Sequence, residues 1–141
     1  SKLKRGPPEF PWFIEFEIDR MPERSGDAYL RMIPRTEMDI AVVGAGARVT
    51  LAEDGSIEEA IVALGAVAPT VVRVPQAESA LIGNTVDDDT LSAVAEAASE
   101  VCNPIDDKRG TVVYRKQVAG VLAKRAVLIA IERAEQRNGT N

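Results

Sequence analysis

The feature that most constrains the fold is a change in the spacing of apolar residues after Pro69. Before it, apolar and acidic residues alternate after Phe13 as far as Ile18, which is the period of two expected of a half-buried strand. After it, apolar residues repeat with the period of an amphipathic helix, first at Leu91, Val94, Ala95, Ala98 and Val101. Strands followed by helices predict an α+β domain rather than a parallel sheet of βαβ units.

Four segments before Pro69 are predicted strands. A turn over Pro22–Gly26 separates the first two, and the hairpin signal Asp54-Gly55 joins the last two. The segments are Trp12–Ile18, Ala28–Ile33, Ile40–Leu51 and Ile57–Val67. Ile57–Val67 also fits helical spacing, because short apolar runs are ambiguous, but the hairpin signal favours a strand. We predict an antiparallel sheet of three or four strands.

Three helices are predicted after the strands. Pro75 near the start and Gly83 past the end delimit the first, and Asp87–Asp89 precede the second, which ends before Pro104. The third runs from Thr111 to about Arg137. Its apolar set contains Val113, Val118, Val121, Leu122, Val127, Leu128 and Ile131.

The two ends of the chain differ in composition from the middle. Residues 1–11 contain three prolines and several basic residues, which predict an extended linker or arm, because proline cannot donate to a strand ladder. Residues 12–137 are the predicted domain. Residues 138–141 are a predicted disordered tail.

Histidine is missing from the composition, and Cys102 is the one cysteine among 141 residues. Without histidine the chain lacks the commonest general base and metal ligand, and it lacks every Ser-His or Cys-His nucleophile pair. One cysteine cannot form an intrachain disulfide or supply the ligands of an iron–sulfur cluster or structural zinc site. These residues predict no metal site and no catalytic residue in the chain.

The net charge is −5, and a nucleic-acid partner is therefore not expected. No apolar run approaches the ~20 residues of a membrane span, and no apolar stretch resembles a signal peptide. We expect a soluble, cytoplasmic protein.

Gly44-Ala45-Gly46 resembles the start of a dinucleotide-binding fingerprint, which would make the chain a small NAD-binding enzyme. However, the third glycine would fall at Val49, and a hairpin rather than a helix follows. We expect these small residues to let the strand lie close under another element.

Two groups of charged residues have competing interpretations. Asp87–Asp89 could hold a divalent cation, but acids ahead of a helix more often cap its free N–H groups, and Asp106 stands before the last helix in the same way. The pairs Arg115-Lys116 and Lys124-Arg125 predict a solvated helix face, with subunit docking as the alternative.

Several segments in order resemble the C-terminal domain of molybdenum-hydroxylase flavoproteins, the family that contains the medium subunit of carbon monoxide dehydrogenase and the flavin portion of xanthine dehydrogenase. The resemblance covers nearly the whole chain. It rests on Phe13–Ile18, Tyr29–Arg31 through Arg35, Asp39–Val43, Ala63–Pro69, Ala77–Gly83, Asp107–Gly110 and Tyr114–Lys116.

This resemblance implies a three-stranded antiparallel sheet with a helix bundle and a place in an electron-transfer chain. In such enzymes a molybdopterin subunit hydroxylates the substrate, [2Fe-2S] clusters relay the electrons, and FAD passes them to an acceptor. The resemblance implies that most of the FAD is bound by a region upstream of Ser1. The domain itself would close over the FAD and dock the iron–sulfur and molybdopterin subunits without catalysing a step.

The resemblance also implies two FAD contacts. An apolar contact of the first strand falls on Phe13, and a basic contact after the aromatic residue of the second strand falls on Arg31. Many relatives have leucine and lysine at these positions, and the planar guanidinium of Arg31 is wider than an ammonium group. The alternative is a stand-alone interaction domain that has the same fold and no redox role.

Overall fold

Six strands and three helices make up the described part of the chain. This computed structural model describes residues 2–5, 14–18, 20–34, 40–107 and 110–137. The strands are β1 (Lys2–Arg5), β2 (Ile14–Glu17), β3 (Ser25–Met32), β4 (Val43–Leu51), β5 (Ile57–Gly65) and β6 (Val72–Arg73). The helices are α1 (Pro75–Leu81), α2 (Asp88–Val101) and α3 (Val112–Gln136). Strands precede helices, which confirms the predicted α+β class.

Strands β3 to β6 form an antiparallel sheet in the order β3-β4-β5-β6. The predicted hairpin between β4 and β5 is confirmed: Gly55 has a φ of +86°, and the Ser56 N–H donates to Asp54 Oδ1 at 2.9 Å. The segment from Ile57 is a strand, so its helical alternative is wrong. The fourth strand of the sheet is the short β6, which the sequence analysis did not predict.

Strands β1 and β2 form a separate two-stranded sheet, with Lys2 opposite Glu17 and Arg5 opposite Ile14. The predicted first strand therefore exists but does not join the four-stranded sheet. The proline-rich composition predicted an arm without ladder bonds, and β1 departs from that prediction. Its residues can pair because the three prolines of the arm lie at positions 7, 8 and 11, outside the strand.

The helix boundaries follow the caps that the sequence predicts. Pro75 is the first residue of α1. The Asp87 carboxylate accepts a hydrogen bond from the Thr90 N–H at 2.7 Å, and Asp106 Oδ1 accepts one from the Val112 N–H at 2.6 Å. Helix capping, rather than cation binding, is thus the structural role of these acids.

Replacing Asp87 with alanine should lower the free energy of unfolding, because the N–H of Thr90 loses its acceptor. Urea denaturation would measure the change. The variant Asp87→Ser keeps an acceptor at the cap and should recover most of the loss. Equal losses in the two variants would contradict the capping role.

Helix α3 packs against β3 and β4 at unusually short range. A Cβ at Gly26 would lie 2.0 Å from Ala130 O and 2.5 Å from Ala134 N, so the β3 and α3 backbones touch. The buried apolar residues of α3 are accordingly small, namely Ala119, Gly120, Ala123, Ala126, Val127, Ala130 and Ala134. Three residues of the predicted apolar stripe, Val113, Val121 and Leu128, are instead exposed.

The exposure of Val113, Val121 and Leu128 has a steric cause. Two backbones this close leave little room between them, so Val127 is the one buried apolar residue of α3 that is larger than alanine, and Val113, Val121 and Leu128 are exposed. No helix among the described residues is long and apolar enough to cross a membrane.

Candidate functional site

The four-stranded sheet has an inner face that carries α3 and an opposite face, which we call the outer face. Side chains alternate between the two along each strand, so Tyr29 and Arg31 of β3 lie on the outer face while Ala28 and Leu30 lie on the inner one. The pairing register aligns Tyr29 with Gly46 and Ala63, and Arg31 with Gly44 and Gly65. Tyr29 and Arg31 on one edge of the sheet thus lie beside small residues of β4 and β5. We call these residues, Gly44, Gly46, Ala63 and Gly65, the glycine floor.

The glycine floor accommodates the ring of Tyr29. A Cβ at Gly44 would lie 2.7 Å from Tyr29 Oη, and one at Gly46 would lie 3.8 Å from the ring. The ring therefore lies along β4, while 66% of the residue surface remains exposed. This confirms the expectation that the small residues of this strand admit a close neighbour, and Gly44-Ala45-Gly46 continues as strand with no helix after it.

The other side of the floor is open. Gly65 has no described atom within 4 Å of the position that a Cβ would take. Arg73 of β6 lies at the opposite edge of the sheet from β3. It pairs with Ala63, which the register aligns with Tyr29, and its side chain is exposed. The surface over Gly65 is therefore open to a flat group, and Tyr29, Arg31 and Arg73 occupy nearby positions in the sheet.

Of the two predicted site residues, the structure describes one. Arg31 is exposed on the outer face, next to Gly44 in the ladder. Phe13 lies outside the described residues. The sequence analysis missed Tyr29 as a member of this site, although the strand alternation that places Arg31 also places Tyr29 two residues earlier on the same face.

Arg73 is fixed by an ion pair. Its Nε donates to Glu78 Oε1 at 2.7 Å, and the same oxygen accepts from the Val62 N–H at 3.0 Å. Partial burial opposes ionisation of Glu78, but the hydrogen bonds from Arg73 and Val62 outweigh it and hold the pKa of the carboxyl below its ordinary value. The ionised carboxylate therefore ties β5 and β6 to α1.

The lowered pKa of Glu78 predicts a pH-dependent contribution to stability. A depressed folded-state pKa stabilises the fold above the ordinary pKa of a glutamate, and the contribution is lost as the pH falls through the folded-state value. Glu78→Gln should therefore cost less than about 1 kcal/mol near neutral pH, since the ion pair is part-exposed. Urea denaturation at neutral pH and at successively lower pH should show the difference from the parent chain shrinking as the pH falls.

A buried arginine holds the end of the sheet beside Arg31. Arg115 retains 3% of its surface exposed, and its guanidinium donates to Val42 O at 3.1 Å, Ile105 O at 3.0 Å and Ala66 O at 2.5 Å. Asp107 lies 3.6 Å from the same group. These carbonyls belong to three different loops, so one side chain joins the loops before β4, after β5 and before α3.

The burial of Arg115 corrects the prediction that Arg115-Lys116 forms a solvated helix face. The prediction fails because Arg115 lies on the side of α3 that turns toward the loops, where three carbonyls need a donor. Lys116 is half-buried, and of the second pair Lys124 is half-buried and Arg125 is exposed. Among the described residues, no three His, Cys, Asp or Glu side chains come together as a metal site would require.

Sequence comparison places this fold in a known family. Residues 28–130 match the family model described as the CO dehydrogenase flavoprotein C-terminal domain. The 6-hydroxypseudooxynicotine dehydrogenase complex subunit alpha of Paenarthrobacter nicotinovorans is 31% identical over 121 residues, which are 86% of this chain and 40% of the relative. The carbon monoxide dehydrogenase medium chain of Hydrogenophaga pseudoflava is 32% identical, over 81% of this chain and 39% of the relative.

Solved structures agree with the sequence matches. The carbon monoxide dehydrogenase of Hydrogenophaga pseudoflava that lacks the Mo-pyranopterin moiety of the molybdenum cofactor matches with a TM-score of 0.75 and 33% identity, over 80% of this chain and 39% of that chain. Reconstituted CO dehydrogenase from Oligotropha carboxidovorans matches with a TM-score of 0.76 and 28% identity, over 87% and 46%. The chain thus spans about 40% of the length of these relatives. It belongs to the family of CO dehydrogenase flavoprotein C-terminal domains, as the resemblance predicted.

Proposed function

We propose that the chain is the part of a molybdenum-hydroxylase flavoprotein subunit that completes an FAD site with its outer face. The observation that carries the proposal is the open surface over Gly65, near the strand positions of Tyr29, Arg31 and Arg73. A Cβ at Gly65 would occupy this open space, which a flat ring could fill instead. When bound, FAD would accept electrons from reduced clusters and pass them on.

The residues of the outer face fit parts of FAD by their chemistry. The exposed ring of Tyr29 offers a surface on which an aromatic ring can stack. The guanidinium of Arg31 can donate charge-assisted hydrogen bonds to a phosphate or to a flavin oxygen that gains negative charge on reduction. Phe13, outside the described residues, is proposed as the apolar contact on the same cofactor.

The rest of the FAD would be held by other parts of such a subunit. The described residues contain no glycine-rich loop that leads into a helix, which is the usual way to bind a pyrophosphate. The relatives extend well beyond the matched region. In this proposal the domain closes over a cofactor whose phosphates are bound elsewhere.

Docking of iron–sulfur and molybdopterin subunits is the second part of the proposal, and the exposed side of α3 supports it. Tyr114, Val121 and Leu128 follow one another at intervals of seven residues and are all exposed. Residues seven apart lie nearly one above the other on a helix, so they form one apolar stripe. A stripe of this kind is typical of a surface that another protein covers.

The exposed stripe on α3 also supports the alternative of an interaction domain without a redox role. The two functions differ in whether the outer face needs a flavin. A stable complex with partner subunits that is colourless after purification would favour the alternative.

The test uses the full flavoprotein subunit co-expressed with its partner subunits. Arg31→Gln should weaken FAD binding by about 10- to 100-fold, as expected when one hydrogen bond to a charged group is lost, and Arg31→Lys should retain more of it. Gly65→Leu should also lower flavin occupancy, because its side chain enters the open floor. Flavin absorbance per subunit gives the occupancy.

Arg125→Gln, an exposed arginine of α3 outside the outer face, is the matched control and should leave flavin occupancy unchanged. If Arg31→Gln and Gly65→Leu both retain the flavin content of the parent complex, the outer face is not the FAD site.

A further inference from the structure

Strand β3 is the edge strand of the four-stranded sheet. The Leu51 N–H donates to Arg24 O, which sets the alternation of the ladder. Backbone groups of even-numbered residues of β3 therefore point to β4, and those of Ser25, Asp27, Tyr29 and Arg31 point away from it. Within the described residues no strand pairs with this second side of β3.

Arg133 of α3 and Arg137, the residue that follows the helix, cover the first half of that edge. Arg133 Nη1 donates to Asp27 O at 2.7 Å, and Arg137 Nη1 donates to Ser25 O at 3.3 Å. The helix lies under β3, and these two arginines reach around the edge to the outward carbonyls. The second half of the edge, at Tyr29 and Arg31, has no such cover in the described structure.

The same arginines line a cleft. A cavity of about 270 Å³ opens between the start of β3 and the end of α3, lined by Gly26, Asp27, Arg133, Gln136 and Arg137. Nη1 of each guanidinium donates to a backbone carbonyl, and a guanidinium has five N–H donors, so each can also donate to an added carboxylate. Two guanidiniums against the one carboxylate of Asp27 make the cleft basic in a chain of net charge −5.

We propose that the open edge of β3 and the arginine cleft beside it bind an extended, acidic peptide segment of a partner polypeptide. Its backbone would pair with the N–H and C=O groups of Tyr29 and Arg31, as in strand addition to a sheet edge. A carboxylate of the segment would lie between Arg133 and Arg137, because a planar guanidinium binds a planar carboxylate through two parallel hydrogen bonds. Asp27 opposes a more highly charged anion such as phosphate.

Peptide binding at this edge would not require a flavin. It would use the β3 backbone, which no described strand pairs on this side, together with Arg133 and Arg137, whereas the proposed FAD site uses the side chains of the outer face. The two proposals can therefore fail separately.

The test titrates the purified chain with a blocked peptide of alternating threonine and glutamate, followed by two-dimensional NMR of amide and guanidinium groups. The expected result is saturable shifts of the Tyr29 and Arg31 amides and of the Arg133 and Arg137 Nε–H groups, with slower amide exchange at Tyr29 and Arg31. Arg133→Gln and Arg137→Gln should each raise the Kd, and the double variant should raise it by at least about tenfold.

Two matched controls isolate the charge and the location. The same peptide with glutamine in place of glutamate should bind at least about tenfold more weakly, and Arg125→Gln, on an exposed part of the same helix, should leave the Kd unchanged. Inorganic phosphate should not displace the acidic peptide at an equal concentration. The proposal is overturned if no shift saturates, if the two peptides bind equally, if phosphate displaces the peptide, or if Arg125→Gln weakens binding as much as the double variant.

Discussion

Replacing Arg115 with alanine should lower the free energy of unfolding by about 3–5 kcal/mol, the range measured when one partner of a buried ion pair is removed. The guanidinium is buried and donates to the carbonyls of Val42, Ala66 and Ile105. Its removal leaves three loop carbonyls without that donor and Asp107 without this partner. Urea denaturation followed by circular dichroism would measure the loss.

Arg115→Lys tests whether the shape of the guanidinium matters in addition to its charge. A single ammonium nitrogen cannot reach carbonyls that come from three loops in different directions, so the lysine variant should recover less than half of the loss. Arg125→Ala on the same helix should change stability by less than about 0.5 kcal/mol, because its side chain is exposed. A loss for Arg115→Ala as small as that of Arg125→Ala would refute the role of Arg115 as a clamp.

Among substitutions that add one methyl group to the sheet, Gly26→Ala should lower the free energy of unfolding the most. The new Cβ would lie 2.0 Å from Ala130 O and 2.5 Å from Ala134 N, and both are backbone atoms of α3 that cannot rotate away. The helix must shift off β3, which should cost about 3 kcal/mol or more. Thermal unfolding should show a lower Tm, and the contacts of Arg133 and Arg137 with the β3 edge should weaken together with it.

Gly65→Ala is the matched control for this substitution. It also adds one methyl group to a strand glycine, but no described atom lies within 4 Å of the new Cβ. The change should be neutral or stabilise the fold by up to about 1 kcal/mol, since alanine loses less backbone entropy than glycine on folding. Similar losses for the two variants would show that α3 does not approach β3 as closely as described.

The candidate site was only partly predictable. Arg31 was identified through the family resemblance, and its exposed position on the outer face is compatible with that prediction, whose cofactor contact is still to be tested. Tyr29 was part of a family motif in the sequence but was not predicted as a site residue. Strand alternation predicts which face of the sheet a residue lies on, but it does not predict which strand lies beside it. The glycine floor under the ring became visible once the register paired Tyr29 with Gly46.

What the sequence by itself determined is the local part of this protein. The order of strands and helices, the hairpin at Asp54-Gly55 and the cap at Asp87 all depend on residues a few positions apart, so the pattern of a short segment suffices to predict them. The family was likewise recognisable from short motifs in their order.

Three features were decided only by the tertiary structure. They are the side of α3 that is buried, the pairing of β1 with β2 in a separate sheet, and the burial of Arg115. Arg115 meets Val42 and Ala66, which stand 73 and 49 positions away in the chain, and Gly26 meets Ala130. Such contacts depend on how closely two distant backbones approach. On α3 that distance favours alanine in the core, while Val113, Val121 and Leu128 of the predicted stripe are exposed.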